Sequence, residues 1–338
     1  MIAISPDDPQ RFADSLDLRY VSDEEPGITR RRHGRGFRFL NAEGKPIRDR
    51  GERTRFESLA IPPAWQSVWI CIDPRGHLQA TGRDARNRKQ YRYHEVWRRS
   101  ANQAKFARLA EFGDALPRIR ERVRRDLRRE GLDRRRVLAA VVRILDRGYL
   151  RLGNDTYTAA NATFGATTLR PRHVAIDEDR IDVCFIGKHH RDRRVTLCDP
   201  LAASVISLLS QSRRQRLFRF REGGRWHDLR AAMVNQYLAK SCRGVGATAK
   251  WFRTWHGSRL LLERLAKAAE AEPRRLKRHV STAIRDVADE LGNRPATCRK
   301  YYVHPTIAEA YLSGSLSDED PPARRGLKRS ERQLLALI

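Results

Sequence analysis

The chain has 338 residues and a formal net charge of +28, with 69 lysines and arginines against 41 acids. That length can bury a sizeable core and predicts two domains or three small ones, and so large a positive excess favours a polyanion partner, DNA or RNA foremost. Five cysteines without a C-x-x-C pair argue against a disulfide framework or zinc site, the opening residues lack a secretion signal's basic-then-apolar pattern, and no apolar run is long enough to cross a bilayer.

Residues 1 to about 24 read as loose and partly acidic, and a basic run follows at Arg30, Arg31 and Arg32, ended by His33. Gly36-Phe37-Arg38-Phe39-Leu40 alternates like a strand and Asn41-Ala42-Glu43-Gly44 reads as a turn. Further strands are predicted over Ser67–Ile72 and His77–Thr81, giving a small antiparallel sheet. From about residue 95 the pattern turns helical. Asp133 is placed to cap a helix carrying Val137, Leu138, Val141, Val142 and Leu145 on one face. A short β interval follows: His173–Ile176, then Ile181, Val183 and Phe185 in alternation, then Val195 and Leu197. Helices resume, with Asp228 and Thr248 as candidate N-caps, Pro273 and Pro295 suited to first helical positions and Gly292 to a helix end.

Five segments carry candidate chemistry. They are Arg151-Leu152-Gly153-Asn154-Asp155-Thr156-Tyr157, Phe185-Ile186-Gly187-Lys188, Lys250-Trp251-Phe252-Arg253-Thr254-Trp255-His256-Gly257, Leu291-Gly292-Asn293-Arg294-Pro295 and Cys298-Arg299-Lys300-Tyr301-Tyr302-Val303-His304-Pro305. Taken singly each has a plainer meaning. An arginine in so basic a chain is usually a solvated charge, a lysine after glycine a turn residue, a Gly-Asn pair a helix stop, and a tyrosine near a helix end a core residue with a wet tip. In this order and spacing, however, the segments resemble the catalytic set of the poxvirus-like and bacterial type IB DNA topoisomerases. The resemblance runs from about Arg19 to Leu312, and the stretch Arg83–Tyr91 is similar to a DNA-contacting part of that family's N-terminal domain.

The chemistry accounts for the residue types. Attack on a phosphodiester by a tyrosine oxygen builds charge on the equatorial oxygens, which two permanently charged planar guanidiniums, Arg151 and Arg253, suit better than lysines. The resemblance implies that Lys188 protonates the leaving 5′-oxygen from a hairpin turn in the minor groove, with Lys250 as an auxiliary cation three residues before Arg253. It also implies that Asn293 donates to a non-bridging oxygen where many relatives carry His; an amide can make that bond without charge. Tyr302, nine residues after Asn293, fits the motif's nucleophile position, and Tyr301 is the rival. Candidate DNA contacts are Tyr157, Lys250, Arg83, Arg86, Arg88, Lys89, Gln90 and Tyr91. Tyr157 could equally be packing. Trp251, Phe252 and Trp255 read as core, and His256 and His304 as structural.

The expected fold is α+β. A β-rich N-terminal DNA-binding domain spans residues 1–95, a mainly α catalytic domain with a three-stranded antiparallel sheet spans 96–315, and 316–338 form a mobile tail. The resemblance implies a C-shaped clamp on double-stranded DNA that relaxes positive and negative supercoils through a 3′-phosphotyrosine. It implies a monomer needing neither ATP nor metal nor other cofactor, with no membrane association, in the cytoplasm beside the chromosome. The alternatives are a tyrosine recombinase, which typically has His where Lys250 stands and often a helical N-terminal domain, or a basic DNA-binding protein with a degenerate site.

Overall fold

The computed structural model describes residues 8–211, 215–242, 246–267 and 275–338, apart from the side chain of Tyr157; the helix start expected at Pro273 lies outside the described residues. The chain divides into two compact units, 1–106 and 107–338. No helix among the described residues is long and apolar enough to cross a membrane.

The first unit runs α1 (Pro9–Asp14), β1 (Ile28–His33), β2 (Gly36–Leu40), α2 (Arg50–Ser58), β3 (Gln66–Ile70), β4 (Leu78–Arg83), β5 (Lys89–Tyr93) and α3 (Glu95–Ala107). The strands form one antiparallel sheet in the order β2-β1-β3-β4-β5. Its apolar face packs Ile28, Phe39, Val68, Ile70 and Ala80 with Phe56 of α2 and Ile61. The strands at 36–40, 67–72 and 77–81 are found within a few residues of their predicted places. The arginine run is itself a strand, β1. Arg30 is folded inward and donates to the carbonyls of Ile61, Pro62 and Trp65, each at 2.9 Å, so its stem packs while its charge is satisfied.

The first unit runs to Phe106, so that all but the last residue of α3 belongs to it. The cause is Trp97, whose ring packs on Phe12, Tyr20 and His77 and ties α3 to the first unit.

The second unit opens with α4 (Leu109–Leu127), α5 (Arg134–Gly148) and α6 (Asp155–Asn161), then β6 (Val174–Asp177), β7 (Arg180–Gly187), β8 (Arg191–Cys198) and α7 (Pro200–Ser210). Next come β9 (Arg219–Glu222), β10 (Arg225–Asp228), α8 (Ala231–Ala239), α9 (Ala249–Ala266), α10 (Leu276–Leu291), α11 (Pro295–Tyr301), α12 (Pro305–Leu312) and α13 (Arg329–Leu337). The three-stranded antiparallel sheet is present, in the order β6-β7-β8. Asp133 caps α5 as predicted, accepting from the Arg136 N–H at 2.8 Å. The helix is buried beyond the one face expected, because α4, α7, α8 and α9 all pack on it.

Two expectations are corrected here. Asp228 is not a helix cap: it ends β10, where its carboxylate pairs with Arg219 at 2.8 Å and Arg216 at 3.4 Å, and Arg230 occupies the N-cap of α8. The expected mobile tail instead ends in α13, whose Glu331 is fully buried. Arg120 of α4 donates to both Glu331 oxygens at 2.8 Å, and the Trp255 indole of α9 donates to Oε1 at 3.1 Å. The same Arg120 fork grips Asp146 of α5 at 2.9 and 3.1 Å, and Asp146 bonds His256 of α9 at 2.8 Å. A polar network thus ties α4, α5, α9 and α13 together inside the unit.

Removing one partner of a buried, fully bonded charge leaves the other uncompensated, so Glu331→Ala is expected to lower unfolding free energy by about 3–5 kcal/mol; an unchanged urea midpoint would refute the role given to α13. Burial alone would raise the carboxyl pKa values of Asp146 and Glu331, but Arg120 outweighs it and holds both below the ordinary range. Burial also lowers the His256 pKa. In each case the unfolded chain binds protons more readily than the folded one. The network's stabilisation is therefore full near neutrality and lost on acidification, from below the ordinary histidine value and then through the carboxylate range. Urea midpoints measured from pH 7 down to pH 4 should fall, with less dependence in Glu331→Gln.

Candidate active site

The site forms where the C-terminal ends of α5 and α10 meet the middle of α9. Helix α5 stops at Gly148, and Tyr149 takes a left-handed conformation (φ 55°) that turns the chain toward Arg151. The Arg151 segment is held by backbone bonds: its carbonyl accepts from the Ala166 N–H and the Leu152 carbonyl from the Thr167 N–H, both at 2.8 Å. These two stretches touch so closely that a side chain at Gly165 would lie 2.6 Å from Gly153 Cα. Helix α10 ends at Gly292 in a left-handed conformation (φ 63°), as its glycine predicts, and Asn293 follows at once. Pro295 then starts α11, at whose end Tyr302 stands.

Arg253 is only 3% exposed. Its guanidinium donates to the Tyr149 carbonyl and, at 2.7 Å, to that of Leu291. Arg151, half-buried, donates to the Gly292 carbonyl at 2.9 Å and to Asn293 Oδ1. Both cations therefore rest on helix C-terminal carbonyls, the partly negative ends of the helix dipoles. Burial pushes the pKa of each arginine down. For Arg253 the neighbouring Arg151 adds to this and the Tyr302 phenol opposes it. The Arg253 guanidinium lies 5.1 Å from the centroid of the Tyr302 ring, a cation–π contact.

Because Asn293 Oδ1 is taken by Arg151, its amide is oriented. Asn293 Nδ2 and Arg253 Nε are buried donors with no partner among the described residues. An anionic oxygen entering beside Tyr302 would be met by donors that now lack an acceptor.

Arg151, Arg253, Asn293 and Tyr302 are thus brought into one cluster. Lys188 is not in it: it occupies the exposed tip of the β7–β8 hairpin, where Gly187 pairs with Arg191 across the turn. The tip stands in the same field, since burial and then Lys188, Arg294, Arg151 and Arg191 lower the pKa of His189. Lys250 is exposed in the first turn of α9. Tyr157 belongs to α6, but its side chain lies outside the described residues. Tyr301 points outward, 38% exposed.

In the first unit, Arg83, Arg86, Lys89 and Tyr91 are exposed on or beside the β4–β5 hairpin. Arg88 pairs with Asp84 at 2.6 Å, Gln90 donates to Asp84 at 3.0 Å, and Lys89 pairs with Asp23 at 2.6 Å. Arg83 donates to the Asn87 carbonyl at 3.0 Å.

Of the supporting residues, Tyr149 escapes sequence reasoning, whereas that reasoning takes His256 and His304 to be structural. Tyr149 accepts from Arg253 through its carbonyl and from Arg259 through its hydroxyl at 2.9 Å. His256, read as structural, is bonded to Asp146 and packs its ring 4.7 Å from that of Tyr149. His304 accepts from the Thr306 N–H at 3.3 Å and caps α12. Gly257 lies four residues after Arg253, and a Cβ there would come within 2.3 Å of the Tyr302 carbonyl oxygen. Its place in the Trp-His-Gly sequence was the available signal, because a glycine in mid-helix marks a close approach.

A family model described as "Eukaryotic DNA topoisomerase I, catalytic core" matches residues 94–315, and one described as "Bacterial DNA topoisomerase IB, N-terminal domain" matches residues 36–84. The DNA topoisomerase 1B of Acanthamoeba polyphaga mimivirus is 28% identical over 294 residues, covering 84% of this chain and 87% of that one. The DNA topoisomerase I of monkeypox virus is 20% identical over 232 residues, 68% of this chain and 70% of that one. The DNA topoisomerase 1 of Mycosarcoma maydis is 25% identical over 217 residues, 58% of this chain but 21% of that longer one.

The Gly257 contact is testable without reference to activity. Gly257→Ala must push the backbone of Tyr302 away from α9, an overpacking expected to cost about 1–3 kcal/mol in urea unfolding. A variant as stable as the parent would mean that α9 and Tyr302 are not in fixed contact.

Proposed function

Because the chain belongs to the type IB DNA topoisomerases, we propose that it relaxes supercoiled duplex DNA by nicking one strand through a 3′-phosphotyrosyl link at Tyr302. The observation that carries this reading is the gathering of Arg151, Arg253 and the unpartnered amide of Asn293 around one phenol. In the proposed step the Tyr302 oxygen bonds to phosphorus and the bond from phosphorus to the 5′-oxygen breaks. The phenolic proton passes to water, and Lys188 gives a proton to the departing 5′-oxygen.

The two arginines exchange carbonyl acceptors for the equatorial phosphate oxygens, where charge accumulates as the transition state forms. Asn293 donates Nδ2–H to one of those oxygens and keeps Arg151 oriented through Oδ1. The bond energy stays in the phosphotyrosine, so the free 5′-hydroxyl end can swivel about the intact strand and later attack the link in reverse. That cycle calls for no nucleotide cofactor and no metal. Lys250, Tyr157 and the Arg83–Tyr91 hairpin contact phosphates and set the salt dependence of binding. We take the working form to be a monomer beside the chromosome in the cytoplasm.

A plasmid assay in EDTA without ATP tests the proposal. The parent enzyme should relax positive and negative supercoils, and Tyr302→Phe should do neither and form no SDS-stable adduct. Arg151→Ala and Arg253→Ala should slow strand cleavage by roughly 100- to 1,000-fold each, the scale for loss of one charge-stabilising donor. An inert parent, or full relaxation by Tyr302→Phe, would refute the assignment.

A further inference from the structure

Arg193 of β8 lies between two glycines, each immediately before a residue of the proposed mechanism. On one side is Gly187, which precedes Lys188: a Cβ there would come within 2.9 Å of Arg193 Cγ. On the other is Gly292, which precedes Asn293: a Cβ there would lie 2.9 Å from Arg193 Cδ and Nη1. The arginine stem therefore crosses the neck of the hairpin, and its guanidinium lies flat on the end of α10. There it donates to the carbonyls of Asp289 at 3.3 Å and Glu290 at 2.9 Å. Two carbonyls of the helix end, that of Asp289 also holding the Gly292 N–H, are thus used to dock the hairpin, in the orientation the helix dipole favours. Arg191, also on β8, adds a bond from Nη1 to the Asn293 carbonyl at 2.9 Å.

We infer that Arg193 is the positioning residue for the leaving-group acid: it bolts the Lys188 hairpin to the end of α10, fixing Lys188 relative to the phosphate held beside Asn293. This rests on the reading of Lys188 as the proton donor. Without the bolt the hairpin tip is left with its own two-stranded pairing beyond Phe185, the Phe164 N–H bond to the Ile186 carbonyl at 2.8 Å and the single Arg191 bond to the Asn293 carbonyl. The cap of α10 does not depend on Arg193 in the same way. It keeps its own bonds, from the Gly292 N–H to Asp289 at 2.9 Å and from the Asn293 N–H to Ala288 at 2.7 Å. Loss of Arg193 should therefore misplace the acid and spare the phosphate pocket.

The test is single-turnover cleavage of a suicide duplex carrying either the natural 5′-bridging oxygen or a 5′-bridging sulfur at the scissile phosphate. A thiolate, whose conjugate acid has a pKa of roughly 8.5, leaves without a proton, whereas an alkoxide does not. Lys188→Ala should be about 100- to 10,000-fold slower than the parent on oxygen and near the parent on sulfur. Arg193→Ala should be roughly 10- to 100-fold slower on oxygen, the scale for a displaced catalytic group, and near the parent on sulfur. Adding Arg193→Ala to Lys188→Ala should cost nothing further on oxygen. Arg193→Met, which keeps the stem between the glycines and removes the fork, should behave like Arg193→Ala and guards against a packing artefact.

Arg193→Ala that is slow on both substrates, unaffected on oxygen, or additive with Lys188→Ala would overturn the inference. If Lys188→Ala itself stays slow on sulfur, the acid assignment is what fails, and the positioning role falls with it.

Discussion

The end of α10 is the constraint on which the site depends. Its last carbonyls accept from side chains elsewhere in the unit, that of Asp289 while also holding the Gly292 N–H of the helix cap. Leu291 accepts from Arg253, Gly292 from Arg151, and Asp289 and Glu290 from Arg193. Three cationic side chains that repel one another are held together by the negative end of one helix dipole. The geometry needs Gly292 twice over, once for its left-handed φ and once because Arg193 occupies the space a Cβ would fill. A site assembled in this way before its ligand arrives need not reorganise when a phosphate replaces the carbonyls, which is where electrostatic catalysis gains most.

Rigid presentation of Arg253 is a second requirement, and it is met by burial. Helix α9 is enclosed along most of its length, with Phe252 and Trp255 fully buried beside the arginine. Its polar residues are not left bare. His256 is tied to Asp146, Arg259 to Tyr149 and Glu263, and Trp255 to Glu331. Buried ion pairs contribute little net stability compared with apolar replacements, so their presence here is better understood as fixing the helix in one setting. The C-terminal helix supplies one of those anions, which links the far end of the chain to the arginine's placement.

Much of this could be read in the sequence where local rules act alone. The alternation of Ile181, Val183 and Phe185 gave β7, Asp133 gave the start of α5, and Gly292 with Pro295 gave the break that presents Asn293. The ordered motifs brought Arg151, Arg253, Asn293 and Tyr302 to attention, and these four are clustered. What stayed hidden depends on partners distant in the chain. Arg30, half-buried in β1, and Glu331, buried in α13, are charged residues whose withdrawal from solvent is possible only because carbonyls or Arg120 meet them, so composition alone marks both segments as solvated. Asp228 has the side chain of a helix cap but is claimed by two arginines. Arg193 is one cation among 69, and nothing in its neighbourhood of the sequence sets it apart.

The same contrast separates the two halves of the proposed reaction. Attack on phosphorus draws on groups that are held in place: Arg253 and Asn293, both buried, and the half-buried Tyr302 with its carbonyl against Gly257. Departure of the 5′-oxygen draws on Lys188, which stands in solvent at a hairpin tip and is held through the neck of that hairpin. Religation runs through the same transition state in reverse, so Lys188 must then take up the proton it gave. Any change in how firmly the hairpin is docked would therefore alter cleavage and religation rates together, while leaving the balance between nicked and sealed DNA nearly unchanged. The lifetime of the nick, and with it the number of turns the strand can release, would depend on the docking of one hairpin on one helix end as well as on the arginines that stabilise the shared transition state.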